Sequence, residues 1–112
     1  MRGFNSVDEI VNELKPIDPI YCIRTNSINV ACNWFKSNFP GEILYAVKTN
    51  PNERVIKYIG ASGINRFDVA SINEIKLIKK MFPKAHAYYM NVIKSREHIK
   101  DSYFNYNIRD LL

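Results

Sequence analysis

The chain has 112 residues, 46% of them apolar and 24% charged, with a formal charge of +5 from 16 basic and 11 acidic side chains. That length suits one small domain with a core, and that composition excludes an intrinsically disordered chain. No apolar run approaches the roughly 18 residues needed to cross a bilayer, and the opening MRGFNSVDEI lacks the apolar stretch of a signal peptide, so a cytoplasmic protein with no membrane partner is expected. The lysines are scattered rather than clustered, which favours a solvated surface over a nucleic-acid interface. Cys22 and Cys32 lack metal-ligand spacing and have no histidine nearby in sequence. They read as reduced core residues, with neither a disulfide nor a metal site expected.

In chain order, SVDEIVNELK predicts a helix: Ser6 and Glu9 have capping-box spacing, and Val7, Ile10, Val11 and Leu14 recur at helical intervals. Pro16 and Pro19 end it, and residues 20–24, IYCIR, read as a short strand. A second helix is predicted from about Asn26 to Asn38, with Ile28, Ala31, Cys32 and Phe35 on one side and Pro40-Gly41 closing it. EILYAVK reads as a strand. Asn50 is then expected to cap a helix with Pro51 at its first position and Val55, Ile56 and Ile59 on its buried side. INRFDV is the next strand, and Ser71 with Glu74 forms a second capping box opening SINEIKLIKKMF. AHAYYM is a further strand, Ser95 caps SREHIKDSYFNY, and NIRDLL begins a fourth strand. Tyr88, Tyr89, Tyr103, Phe104 and Tyr106 are expected in core packing or an interface rather than in base stacking.

Strand and helix alternate, and the strands are mostly apolar, as expected when both faces of a parallel sheet are covered. Two α/β architectures fit: part of a (β/α)8 barrel of about three βα units plus the N-terminal helix and strand, or a small open doubly wound sheet. In either, function gathers at the carboxyl ends of the strands, where Lys48, Asp68 and Asn91 fall. A lysine at the end of an apolar strand is expected to be partly desolvated, and desolvation favours the neutral amine that imine chemistry with an aldehyde requires. Asp68, on the neighbouring strand end, could hold that amine or a cation derived from it. The plainer readings are a solvated loop lysine, an aspartate steadying the helix after Ser71, and a loop asparagine. No GxGxxG, no GxxxxGK[ST] and no metal-spaced His/Cys/Asp cluster is present.

YAVKTNP, followed about 20 residues later by RFDVASINEI, resembles the fold-type III pyridoxal-phosphate decarboxylases, the ornithine/diaminopimelate/arginine decarboxylase family. The matching pattern is Tyr-Ala-Val-Lys before Asn-Pro, then Phe-Asp-x-Ala-Ser with Glu three residues after the Ser. MFPKAHAYYMNVIKSREHIK is similar to the bacterial ornithine decarboxylase branch, and the resemblance covers residues from about 17 to 109. It implies a partial (β/α)8 barrel in which residues 1–24 lead in from a separate β-domain and residues 25–112 form βα units. The remainder of the barrel and the β-domain would lie outside these residues. It implies further that Lys48 is the Schiff-base lysine, that Asp68 lies beside the pyridoxal phosphate cofactor, and that the full-length form is a homodimer. The implied reaction is decarboxylation of an amino acid, ornithine to putrescine in polyamine biosynthesis by preference or lysine, with diaminopimelate or arginine as alternatives.

Two positions depart from the family pattern: Val92 stands where proline is usual and Asn107 where glycine usually precedes the next strand. The ring-stacking histidine, the Gly-rich phosphate loop and the acidic partner of the pyridine nitrogen have no counterpart in residues 1–112. The chain by itself is therefore expected to be inactive, marginally stable and prone to associate through unpaired strand edges. A non-catalytic remnant or interaction module of the same family is the alternative reading.

Overall fold

The computed structural model describes residues 2–112. Its centre is a four-stranded parallel sheet in the order β1-β2-β3-β4: β1 Tyr45–Ala46, β2 Arg66–Val69, β3 His86–Tyr89 and β4 Asp110–Leu111. Helices α3 (Glu53–Ala61), α4 (Ile72–Met81) and α5 (Arg96–Tyr106) make the three crossovers, while α1 (Val7–Leu14) and α2 (Thr25–Asn38) precede the sheet. Sequential parallel strands joined by helices are the repeating unit of a (β/α)8 barrel, and four consecutive strands make an open part of one.

One face of the sheet builds the core. Phe67 and Val69 of β2 and Ala87 and Tyr89 of β3 are buried, and they meet Ile56 of α3 and Ile72, Ile75 and Ile78 of α4. The three α4 isoleucines recur every three residues, so they form one stripe along the helix. Each such side chain contributes roughly 2 kcal/mol by leaving water. Phe82 stacks on Phe67 with ring centroids 5.7 Å apart, and it lies over Gly60 of α3, where an added Cβ would meet the ring at 2.5 Å. Gly60 is required there by close approach of the two elements.

The alternate residues of the strands occupy the opposite face, which no helix of the described residues covers. The register aligns Ala46, Asp68, Tyr88 and Asp110 in one row across the sheet, and Arg66 with His86 in the row before it. Arg66, Asp68, His86, Tyr88 and Asp110 thus give this face a band of polar side chains.

The helix caps follow the expected chemistry at three places. The Ser6, Ser71 and Ser95 side chains accept hydrogen bonds from the backbone N–H of Glu9, Glu74 and His98. The start of α3 differs from expectation. Its cap is Asn52, whose side chain accepts from the Arg54 N–H, and Pro51 precedes the cap. Asn50 is engaged otherwise: its side chain accepts from the Asn52 N–H at 3.1 Å and its carbonyl accepts from the Tyr45 hydroxyl at 3.1 Å. With two asparagines in Asn-Pro-Asn, the first closes a local turn and leaves the second to start the helix.

Other expectations need correction. Residues 20–24 carry no regular secondary structure, and Tyr21 is fully exposed. A strand is defined by pairing, and among the described residues none lies beside this segment. Cys22 is accordingly exposed and Cys32 half-buried, so neither is a core residue. Strand β1 is only two residues long, with Ile43 and Leu44 half-buried ahead of it and a 3-10 turn, Val47–Thr49, directly after it. Tyr89 is in the core and Tyr106 packs against it, but Tyr103 and Phe104 are exposed on α5, where Tyr103 carries the Arg109 guanidinium 3.9 Å from its ring centroid.

Candidate functional site

The apolar run that ends in Lys48 resolves into three pieces. Strand pairing stops at Ala46, Val47 is fully buried, and the 3-10 turn then carries Lys48 out past the end of the sheet. The Thr49 hydroxyl donates to the Ala46 carbonyl at 2.6 Å and fixes this turn. Lys48 is exposed, so the described residues do not supply the desolvation expected of it. The turn packs against β2, and Ala46 pairs with Asp68. Lys48 and Asp68 therefore come from the carboxyl ends of adjacent parallel strands. Asp68 is half-buried on the uncovered face. Among the described residues neither the Lys48 amine nor the Asp68 carboxylate has a hydrogen-bond or ion-pair partner within the chain.

The third strand-end residue, Asn91, closes the segment that follows Asp68. Its side-chain amide donates to the Ala70 carbonyl at 3.2 Å, while the Ala70 N–H donates to the Glu74 carboxylate at 2.8 Å. The Glu74 N–H in turn donates to the Ser71 hydroxyl at 3.2 Å. Both backbone groups of Ala70 are thus held by side chains, one from the next strand end and one from the helix just begun. The capping box of α4 is consequently also the clamp that fixes the chain two residues beyond Asp68. Tyr89, fully within the core, is held protonated to higher pH than an ordinary tyrosine by its burial and, secondarily, by the Glu74 charge. The Lys94 ammonium lies 5.1 Å from the centre of the Tyr89 ring and donates to the Leu112 carbonyl, covering this end of β3.

Deeper along the uncovered face, Arg66 donates to the Tyr88 hydroxyl at 2.8 Å and pairs with Glu42. The His86 ring stacks on Tyr88 with centroids 4.5 Å apart, and its Nε2 hydrogen-bonds Asp110. Arg66, His86 and Asp110 were not among the residues singled out from the sequence, and Tyr88, expected in core packing or an interface, is half-buried on this face instead. The signal that finds them is the two-residue alternation in INRFDV and AHAYYM, where every second residue belongs to the face away from the helices. Among the described residues no group of three or more His, Cys, Asp or Glu side chains could hold a metal ion, and no helix is long and apolar enough to cross a membrane.

A parallel α/β sheet with a lysine and an aspartate at adjacent carboxyl ends defines the class: a barrel-type scaffold whose chemistry sits at the strand ends. This chain belongs to the pyridoxal-dependent decarboxylases, whose pyridoxal-binding domain matches residues 10–105. Pyridoxal phosphate is the cofactor that goes with that domain. A solved lysine decarboxylase from Selenomonas ruminantium is similar to the chain with a TM-score of 0.79 at 20% identity, over 99% of this chain and 29% of that one. The chain thus spans under a third of the length of that enzyme, and the likeness at this identity is one of fold. Comparison with curated proteins gave no match.

Proposed function

We propose that the chain supplies the cofactor-anchoring part of a pyridoxal-phosphate-dependent amino-acid decarboxylase, with Lys48 holding the cofactor and Asp68 beside it. The observation that carries this reading is the pairing of Ala46 with Asp68, which sets an amine and a carboxylate, both without partners in the chain, at neighbouring strand ends inside the family-matched segment. The donor set fits the group. A primary amine is what an aldehyde cofactor needs for attachment, and an unpaired carboxylate is the counter-charge for a cationic nitrogen.

When bound, pyridoxal phosphate supplies the electron sink for the pair left behind as a substrate carboxylate departs as carbon dioxide. The chain's own part is positioning. The Thr49–Ala46 hydrogen bond fixes the turn that presents Lys48, and the Ala70 clamp made by Asn91 and Glu74 holds the strand end that presents Asp68. The substrate class is a basic amino acid, ornithine or lysine. The resemblance of residues 81–100 to ornithine decarboxylases supports the first, and the fold likeness to a lysine decarboxylase is compatible with the second. The homodimer of the full-length form belongs to the same reading.

The test is reductive trapping. The chain is incubated with pyridoxal phosphate, reduced with borohydride, digested and mapped by mass spectrometry. A reduced pyridoxyl group concentrated on Lys48, lost in Lys48→Arg and diminished in Asp68→Asn, is expected. Label spread over the surface lysines in proportion to their exposure would refute a formed site.

A further inference from the structure

At the amino ends of the strands, away from Lys48, lies a small pocket that the proposed function does not use. Its volume is about 210 Å3, and it sits where the loop from α4 into β3 meets the loop from α5 into β4. Lys79, Lys84, His86, Asn107 and Arg109 are the polar residues that line it. The local chain brings each of them there. Lys79 is on the last turn of α4, and its ammonium donates to the Ala85 carbonyl at 2.7 Å. Lys84 follows Pro83 in a turn closed by the Ala85 N–H, which donates to the Phe82 carbonyl at 3.0 Å. Asn107 takes the left-handed position after α5, and Arg109 comes two residues later. Asn107 stands where the family pattern has glycine, so its side-chain amide is an addition at this pocket.

The charge balance distinguishes this pocket. Elsewhere basic side chains have found carboxylates: Arg2 with Glu13, Arg66 with Glu42 and Lys80 with Glu53. Among the described residues Lys79, Lys84 and Arg109 have none. No acidic residue among those described lines the pocket, and the Asp110 carboxylate, next in sequence to Arg109, is taken by His86. Three cations therefore border one small space and repel one another. Burial also lowers the pKa of Lys79, so its surroundings disfavour its charge. An anion in the pocket offsets both costs. Donors remain for it. The Lys79 ammonium keeps two N–H groups beyond the one given to Ala85. The Arg109 guanidinium gives only its Nη1 to carbonyls, those of Tyr103 and Ile108, and keeps its other N–H groups.

We infer that this pocket binds a phosphate group, free or carried on a small organic molecule, between Lys79, Lys84 and Arg109, with the Asn107 amide as a further donor. The size suits one such group. The pocket holds about seven water volumes and is smaller than the roughly 300–1,000 Å3 of sites for drug-sized ligands. The donors suit it too. A guanidinium offers a planar fork and the two ammonium groups offer point charges, the combination that recognises phosphate oxygens. A carboxylate would bring one charge to three cations, whereas a phosphate brings nearly two at neutral pH. Because the pocket is at the end of the strands opposite Lys48, the phosphate it takes is not that of the cofactor proposed there.

The experiment is a titration of the 112-residue chain followed by proton–nitrogen NMR, with no cofactor added. Inorganic phosphate, glycerol 3-phosphate, acetate and chloride are compared at one pH and one ionic strength, so that general screening is the same in each. Saturable shifts of the backbone amides of residues 84–87 and 107–109 are expected with the two phosphates and not with chloride. Tighter binding of inorganic phosphate assigns the site to the free ion, and tighter binding of glycerol 3-phosphate assigns it to a phosphomonoester. Lys84→Gln with Arg109→Gln, both at exposed positions, should raise the half-saturating concentration at least about tenfold with the remaining peaks in place. Lys48→Arg should leave the titration unchanged, which separates this site from the proposed cofactor site. A second measurement is methylation of Lys84 by formaldehyde and borohydride, which should slow about twofold at the half-saturating phosphate concentration and not in chloride. Shifts that grow without saturating, that scatter over the chain's lysines, that acetate reproduces at equal concentration, or that persist in the double variant would each overturn the inference, as would methylation of Lys84 indifferent to phosphate.

Discussion

Replacing Asn91 by alanine tests whether the strand end behind Asp68 is held as described. The side-chain amide donates to the Ala70 carbonyl at 3.2 Å, and both residues are half-buried. Its other contact, accepting from the Ile93 N–H at 3.4 Å, is too long to add much. Truncation therefore removes one partly shielded hydrogen bond and leaves a carbonyl unpaired, a cost of about 1 kcal/mol. With a urea dependence of about 1 kcal/mol per molar for a chain of this size, the midpoint should fall by about 1 M. Asn91→Asp keeps the shape but sets a carboxylate against that carbonyl and near the Glu74 charge, so it should cost about 2 kcal/mol at neutral pH. The assay is urea unfolding followed by circular dichroism at one fixed chain concentration, since association would shift the midpoint. A cycle pairing Asn91→Ala with Glu74→Ala should show a coupling of about 0.5 kcal/mol or more, because the two side chains clamp one residue. Unchanged midpoints in both Asn91 variants would refute the clamp.

Three more outcomes follow from particular contacts. Gly60→Ala should destabilise by about 1–3 kcal/mol in the same titration, despite the better helix propensity of alanine, because the new Cβ meets the Phe82 ring at 2.5 Å. Asn107 caps α5 in the left-handed region at φ 53°, so Asn107→Gly should be close to neutral in thermal unfolding while Asn107→Ala costs about 1 kcal/mol. Tyr89 has its pKa raised in the folded state, so folding favours the neutral phenol. The resulting stability is intact below the unfolded value of about 10 and is lost as pH rises through the folded value. Tyr89→Phe should therefore flatten the alkaline fall in midpoint above about pH 10, and an identical alkaline profile in the two proteins would contradict the burial of that hydroxyl.

The sequence was most readable where one local rule acted alone. Ser6, Ser71 and Ser95 each have a short oxygen-bearing side chain ahead of an amphipathic run, and each caps a helix. Asn107 replaces a usual glycine because asparagine also tolerates the left-handed turn. The misreadings arose where two local signals competed or where a partner decides the outcome. Asn50 and Asn52 carry the same capping chemistry, and only the turn closed by Asn50 leaves Asn52 to start α3. Residues 20–24 have the composition of a strand, but composition cannot provide the neighbouring strand that pairing needs. Cys22 and Phe104 look like core residues by type, and their exposure follows from which elements pack beside them. At the candidate site, Lys48, Asp68 and Asn91 were legible from their position at the ends of apolar runs. The Arg66–Tyr88 and His86–Asp110 contacts were not, because they join residues 22 and 24 apart whose meeting depends on strand register.

That register also bears on the reactivity proposed for Lys48. An apolar run leading into a lysine suggests burial, but the run here serves the helix side of the sheet: Val47 is buried and Lys48 is exposed just beyond it. The described residues position the amine without desolvating it. Shielding from water requires further structure over the strand ends, whether cofactor, substrate or another polypeptide layer. If that is so, the chain alone should give Lys48 no special reactivity toward an aldehyde that has no phosphate to bind. With formaldehyde and borohydride in place of the cofactor, Lys48 should be methylated no faster than the other exposed lysines. Markedly faster methylation of Lys48 would mean that the 3-10 turn alone makes it reactive, and a covering layer would have no part in it.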